Sequence, residues 1–263
     1  MGCNKVESHK GKSTTRAKNK YNAQNYDSLH IVVPKGRKQK VMVVAKESGE
    51  SLNGYVSKAI DERVVRNGPV YTKAYTIIAG VNGTGKSSFS GVLKSLAENR
   101  FIGEIVDIDK ITTENKVFPL EGSKIAMLRI AELLENEKCL TFETTLEGNK
   151  TEVTAATAKE LGYYVRLYYI GLDTPEECLR RINSRVARGG HNIGDIDVRR
   201  RFSERWKSIK KVLVYCDEAY FFDNENGFVE VAEFLNGTFI LKSDSPPAWI
   251  LDLAKYLKRH GTK

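Results

Sequence analysis

The chain has 263 residues, 41% hydrophobic and 29% charged, which suffices for one large domain or for one medium and one small. No apolar run approaches the ~20 residues needed to span a bilayer, and the polar, basic start lacks the apolar stretch of a secretory signal. The net charge of +9 is uneven: residues 1–70 carry 14 Lys and Arg against 6 Asp and Glu, the remainder 28 against 27, which predicts a polyanion-binding module joined to a near-neutral domain.

The opening "MGCNKV" departs from the myristoylation pattern, with Val6 where Ser or Thr is required. Cys3, Cys139, Cys178 and Cys216 are scattered and form no C-x-x-C pair. That spacing argues against a disulfide frame or zinc site and for a reducing, cytoplasmic setting. Residues 1–24 are polar, rich in Lys and Asn, and read as a disordered basic tail.

A small module is expected over 25–67. "SLHIVVPKG" reads as a short strand stopped by Pro34, with Leu29, Ile31 and Val33 on one face and Ser28, His30 and Val32 on the other. "RKQKVMVVAKES" reads as a helix ended by Gly49. Ser51 suits an N-cap, and Leu52, Tyr55, Val56, Ala59, Ile60 and Val64 then make a helical stripe. One strand and two helices bury too little apolar surface alone, so strand pairing between two copies is expected.

The stretch "VVPKGRKQKVMVVAKESGESLNGYVSKAIDERV" resembles the ribbon-helix-helix fold of Arc-type repressors and many antitoxins, over about residues 26–66. The resemblance implies a homodimer whose paired strands enter the major groove of DNA. Ser28, His30 and Val32 would face the bases, and the amides near Ser51 and Asn53 would hold a backbone phosphate. Val32 offers no hydrogen bond to a base edge, a departure that leaves it at most a thymine methyl contact.

After the "RNGP" break at 66–69, residues 71–263 alternate strand-like and helix-like runs. Strands are expected at "YTIIA", "EIVDID", "CLTFET", "YYVRLYYIGL", "AYFFDN" and "TFILK". Helices are expected at 86–98, 123–137, 151–161, 175–187, 195–213 and 247–259. This order predicts an α/β domain, a parallel sheet with helices on both faces. "YTIIAGVNGTGKSSFS" carries G-x-x-x-x-G-K-[ST] between the first strand and helix. Gly80, Gly83 and Gly85 let backbone amides converge on phosphate. Lys86 would reach the β- and γ-phosphates of a nucleotide, Ser87 would ligate Mg²⁺, and Ser88 follows in the same turn.

Asp107 and Asp109 are two apart at a strand end, on one face if the chain stays extended, and either could take a proton from an acceptor hydroxyl. Glu143, followed by Thr144 and Thr145, ends another strand and could serve Mg²⁺ or the acceptor. "RRINSRVARGGHNIGDIDVRRRF" sets Arg181, Arg185 and Arg188 on adjacent helical turns, with Arg199, Arg200 and Arg201 beyond a Gly-Gly-His turn. Such arginines stabilise transferring phosphate from a closing lid. No hhhhDE run with motor motifs and no N-K-x-D is present, which weakens the motor and GTPase alternatives.

The segments "AGVNGTGKSSF", "DIDKI", "FETTLEG", "GYYVRLYYIGLDTPEECLRRINSRVARGGHNI" and "DNENG" resemble the zeta-toxin family of P-loop kinases, over most of 74–245. That resemblance implies ATP- and Mg²⁺-dependent phosphorylation of a sugar hydroxyl on UDP-N-acetylglucosamine, with an antitoxin protein as a further partner. It implies Asp109 as catalytic base, Lys86 and Ser87 on nucleotide and metal, and Glu143 and Thr145 on the acceptor side. It also implies Arg185 and Arg188 as charge-stabilising groups, with Arg200 or Arg201 beside them. Gly194 stands where relatives often carry Pro, and Asp107 where they often carry Asn. A nucleotide-responsive DNA-binding regulator and a kinase for another hydroxyl compound are the alternatives.

Overall fold

The computed structural model describes residues 31–67, 73–95, 102–189 and 192–261. The expectations for residues 1–24, Ser28 and His30 lie outside these. The chain divides into two compact units, 1–70 and 71–263.

In the first unit, α1 spans Arg37–Glu47 and α2 spans Leu52–Asn67. Gly49 takes φ 71° between them, and the Ser51 hydroxyl accepts the Gly54 amide at 3.1 Å, capping α2. Residues 31–34 form no strand within this single chain. Val32 is 91% exposed, and Ile31, Met42, Val43 and Val44 are also exposed, so only Ala45 of α1 is buried.

The second unit is a seven-stranded sheet in the order β2-β3-β1-β4-β5-β6-β7. In chain order it runs β1 (Ala74–Ala79), α3 (Lys86–Ser95), β2 (Glu104–Asp107), α4 (Ile108–Asn115), α5 (Pro119–Glu135), β3 (Leu140–Thr144), α6 (Lys150–Glu160) and β4 (Tyr164–Gly171). Then come α7 (Pro175–Val186), α8 (Asp195–Leu213), β5 (Glu218–Asp223), β6 (Val229–Leu235), β7 (Thr238–Leu241) and α9 (Ala248–His260).

Strands β2 to β5 and β1 are parallel, whereas β6 and β7 extend the edge antiparallel. The sheet is therefore mixed. Strand β6, VEVAEFL, is absent from the sequence expectation and turns into β7 at Asn236-Gly237, both at positive φ. Such a two-residue hairpin needs no crossover helix, so the chain reverses direction.

β1 is buried along its whole length because helices cover both faces. Tyr75, Ile77 and Ala79 pack with residues of α5, α6, α8 and α9, including Ile130, Ala155, Ile209 and Trp249. Ile78 faces the other side, against Phe89 and Leu93 of α3. The P-loop leaves the carboxyl end of β1 between β3 and β4, where the crossovers diverge and a crevice opens.

Candidate active site

The loop from β1 to α3 is fixed by contacts that exclude side chains. Gly83 has φ 87°, and a Cβ there would lie 2.4 Å from the Cys178 carbonyl oxygen of α7. A Cβ on Gly85, at φ 100°, would lie 2.5 Å from Asn224 Nδ2, which itself donates to the Thr84 carbonyl at 2.8 Å. The Thr84 hydroxyl donates to the Val81 carbonyl at 2.9 Å. A buried layer of α7 and α8, including Cys178, Ile182, Val198 and Phe202, supports Val81 from beneath. The loop is thereby preformed at the N-terminus of α3, which favours a phosphate.

Lys86 opens α3, and its ammonium donates to the Val81 carbonyl at 3.4 Å. Desolvation lowers its pKa, while Glu143, Asp109 and Asp107 pull in the opposite direction. Glu143 is buried on β3, where it accepts 2.7 Å and 2.9 Å hydrogen bonds from the Ser87 and Ser90 hydroxyls. The two serines are three residues apart on α3 and share one face. Ser88 is exposed in the first turn of that helix.

The paired aspartates differ from the extended expectation. β2 ends at Asp107 and α4 starts at Ile108, so Asp107 is an N-cap and Asp109 lies in the first helical turn. Asp107 Oδ1 accepts the amides of Asp109 at 2.9 Å and Lys110 at 3.3 Å. A helix starting here is favoured because this carboxylate satisfies its first orphan amides. Burial, then repulsion from Glu143, pushes the Asp107 carboxyl up to about 6, against the lowering effect of those amide bonds. Among the described residues the Asp109 carboxylate accepts no hydrogen bond.

A cleft of about 240 Å³ gathers Asn82, Lys86, Asp107, Asp109, Glu143 and Thr145. Arg201 of α8 also lines it, with Nε donating to Glu147 at 2.7 Å and Nη1 to Asn82 at 2.7 Å. Arg200 binds the same Glu147 carboxylate and Asp197. Lys150 at the start of α6 donates to the Ser123 hydroxyl at 2.5 Å, and both residues line the cleft.

Arg185 and Arg188 are not brought to this cleft. The N-terminal half of α7 packs under Gly83, and the helix carries these two residues roughly 10–15 Å further along its axis. Arg188 donates to the Ser184 carbonyl and hydroxyl on its own helix, and both arginines are exposed. Arg181 does reach the loop after β5, donating to the Asn224 carbonyl at 2.8 Å.

Sequence reasoning missed Asn82, Ser90, Ser123, Glu147, Lys150 and Asn224. Ser90 left a signal in its helical spacing from Ser87, and Asn82, Glu147 and Asn224 lie inside the quoted segments, whereas Ser123 and Lys150 left none. The oxygen donors of Ser87, Glu143 and Asp107 suit Mg²⁺, which is ordinarily held by one or two carboxylates plus substrate phosphates. Among the described residues no group of three or more His, Cys, Asp or Glu gathers as a metal centre. No described helix is long and apolar enough to cross a membrane.

No protein-family model matches the chain. An uncharacterised protein of Haemophilus influenzae is 31% identical over 128 residues, 47% of this chain and 88% of that protein. Among solved structures, the AvrRxo1-ORF1:AvrRxo1-ORF2 crystal structure with sulphate ions is 17% identical, at TM-score 0.50 over 94% of this chain and 78% of that one. A structure from the PezAT chromosomal toxin-antitoxin system of Streptococcus pneumoniae is 15% identical, at TM-score 0.47 over 77% and 95%. At its identity the likeness to the AvrRxo1-ORF1:AvrRxo1-ORF2 structure concerns the fold alone.

Proposed function

We propose that this chain, which belongs to one family with the uncharacterised Haemophilus influenzae protein, is an ATP- and Mg²⁺-dependent kinase of a small hydroxyl compound. One observation carries the proposal. The P-loop cation Lys86 and the carboxylate Asp109 line a single cleft together with Glu143, which the Ser87 hydroxyl holds. Bound ATP with Mg²⁺ supplies the γ-phosphoryl group and a metal charge that neutralises it.

The residues of the chain divide the remaining work. Lys86, with the amides of the P-loop, binds the nucleotide phosphates, and Ser87 with Glu143 provides oxygen donors for the metal. Asp109 orients the acceptor hydroxyl and takes its proton, since its carboxylate is uncommitted, whereas Asp107 is held by the amides that start α4. Thr145 lines the acceptor end, and the Arg201 guanidinium balances charge on the transferring group.

The zeta-toxin resemblance supplies the finer assignment, a sugar hydroxyl of UDP-N-acetylglucosamine. Residues 25–67 are then a dimerising ribbon-helix-helix module that binds DNA, supported by the excess of basic residues over 1–70, by the capped start of α2, and by exposed apolar side chains at 31–33 and 42–44. An antitoxin partner follows from the same resemblance, and a cytoplasmic setting from the scattered cysteines. The placement of Arg185 and Arg188 away from the cleft favours a second reading, a nucleotide-responsive DNA-binding regulator without turnover.

Incubation of the full chain with labelled ATP, Mg²⁺ and a panel of UDP-sugars and other hydroxyl compounds, resolved by thin-layer chromatography, separates these readings. Label on UDP-N-acetylglucosamine is the expected outcome. Label on another compound retains the kinase and refutes the acceptor, and label on none refutes the kinase.

A further inference from the structure

Among the described residues that line the cleft, Arg201 is held at two points of its guanidinium by other side chains. Nε donates to Glu147 Oε2 at 2.7 Å, and Nη1 donates to Oδ1 of the buried P-loop residue Asn82 at 2.7 Å. A guanidinium carries five N–H donors in one plane, so two fixed contacts set the orientation of the rest. Among the described residues Nη2 of Arg201 makes no hydrogen bond.

We propose, resting on the kinase reading above, that Glu147 is a positioning residue that holds Arg201 against the P-loop, leaving guanidinium N–H groups for the terminal phosphate of the nucleotide. Glu147 lies in the loop between β3 and α6, so it joins the acceptor side of the cleft to α8. Its other oxygen accepts from Arg200, which is also held by Asp197 of its own helix at 2.9 Å. Arg200 therefore has a second anchor, whereas Glu147 is the carboxylate that Arg201 binds. The exposed Arg199–Glu176 pair, at 2.7 Å, has no such link to the P-loop. Burial alone would raise the Glu147 pKa, but hydrogen bonds and charge from Arg200 and Arg201 outweigh it and keep the carboxylate ionised at neutral pH. An ionised partner makes the arginine contact stronger and more directional than a neutral one would.

The test is calorimetry on the full chain with Mg²⁺, comparing a non-hydrolysable ATP analogue with ADP, for wild type, Glu147→Gln, Arg201→Ala and the double variant. Loss of a charged hydrogen bond predicts that Arg201→Ala lowers the preference for the analogue over ADP by about 10-fold and Glu147→Gln by about 3-fold or more, with ADP affinity within about 2-fold. The double variant should match Arg201→Ala alone, because Glu147 acts through that side chain. A merely structural role would weaken both nucleotides together. Wild-type preference in Glu147→Gln, or additive losses in the double variant, overturns the proposal while leaving the kinase reading intact. Failure of wild type to bind either nucleotide removes the kinase reading and this inference with it.

Discussion

Asp107 and Lys86 show how the cleft is tuned at the residue scale. The Asp107 carboxyl is held up to about 6 by burial and by Glu143, so the native state favours its protonated form. The stabilising effect of that proton is complete below the unfolded value of about 4 and is lost as pH rises through about 6. Asn keeps the N-cap but cannot ionise. Asp107→Asn should therefore gain about 1–2 kcal/mol on the ligand-free wild type between pH 4 and pH 7 and gain no more above that. Urea denaturation across this range decides it, and a difference independent of pH would contradict the assigned environment. Lys86→Ala should weaken binding of an ATP analogue and abolish transfer together, since it removes the cation expected on the β- and γ-phosphates. Unchanged affinity by calorimetry would sink the P-loop assignment. Both residues were legible in the sequence as site candidates, but the capping role of Asp107 was not. An acidic residue two positions before another reads equally as a strand end or as a helix start.

Most elements of the second unit were visible as patterns, because an α/β sheet buried on both faces produces continuous apolar runs such as YTIIA. Helix α8, Asp195–Leu213, was expected at its observed bounds, since Phe202, Ile209, Val212 and Leu213 mark one face. The losses have local causes. Helix α4 is eight residues long and buries none of them, so it leaves no periodic signal. Strand β6 is partly exposed, and its Glu residues dilute the hydrophobic run. Position 171 gives an element-scale prediction. Gly171 ends β4 against α9, and a Cβ there would lie 2.5 Å from the Trp249 indole, whose Nε1 donates to Asp223 at 2.8 Å. Gly171→Ala should cost about 1–3 kcal/mol by overpacking, read as a lowered denaturation midpoint. A midpoint equal to wild type would show that α9 can shift without loss.

For the whole molecule, charge divides where the two compact units divide, at residue 70. If the first unit binds DNA as a dimer, affinity of the full chain should fall steeply with salt, with a log–log slope of about −0.9 per phosphate contact. Changing His30 should alter sequence preference, whereas changing Lys18 should weaken all sequences about equally. Anisotropy titrations at several salt concentrations, with sedimentation to count subunits, test this; a monomer without salt-dependent DNA affinity would leave the unit a protein-docking arm. That result would not touch the proposed kinase activity, whose cleft is lined by residues of the second unit alone. The proposed activity requires that Asp109 and the P-loop form one phosphotransfer site. Mass spectrometry of UDP-N-acetylglucosamine after incubation with ATP, Mg²⁺ and either wild type or Asp109→Asn tests it most directly. A phosphorylated sugar nucleotide is expected with wild type and about 100-fold less with Asp109→Asn, the loss typical of a general base. Equal product from the two proteins would contradict it.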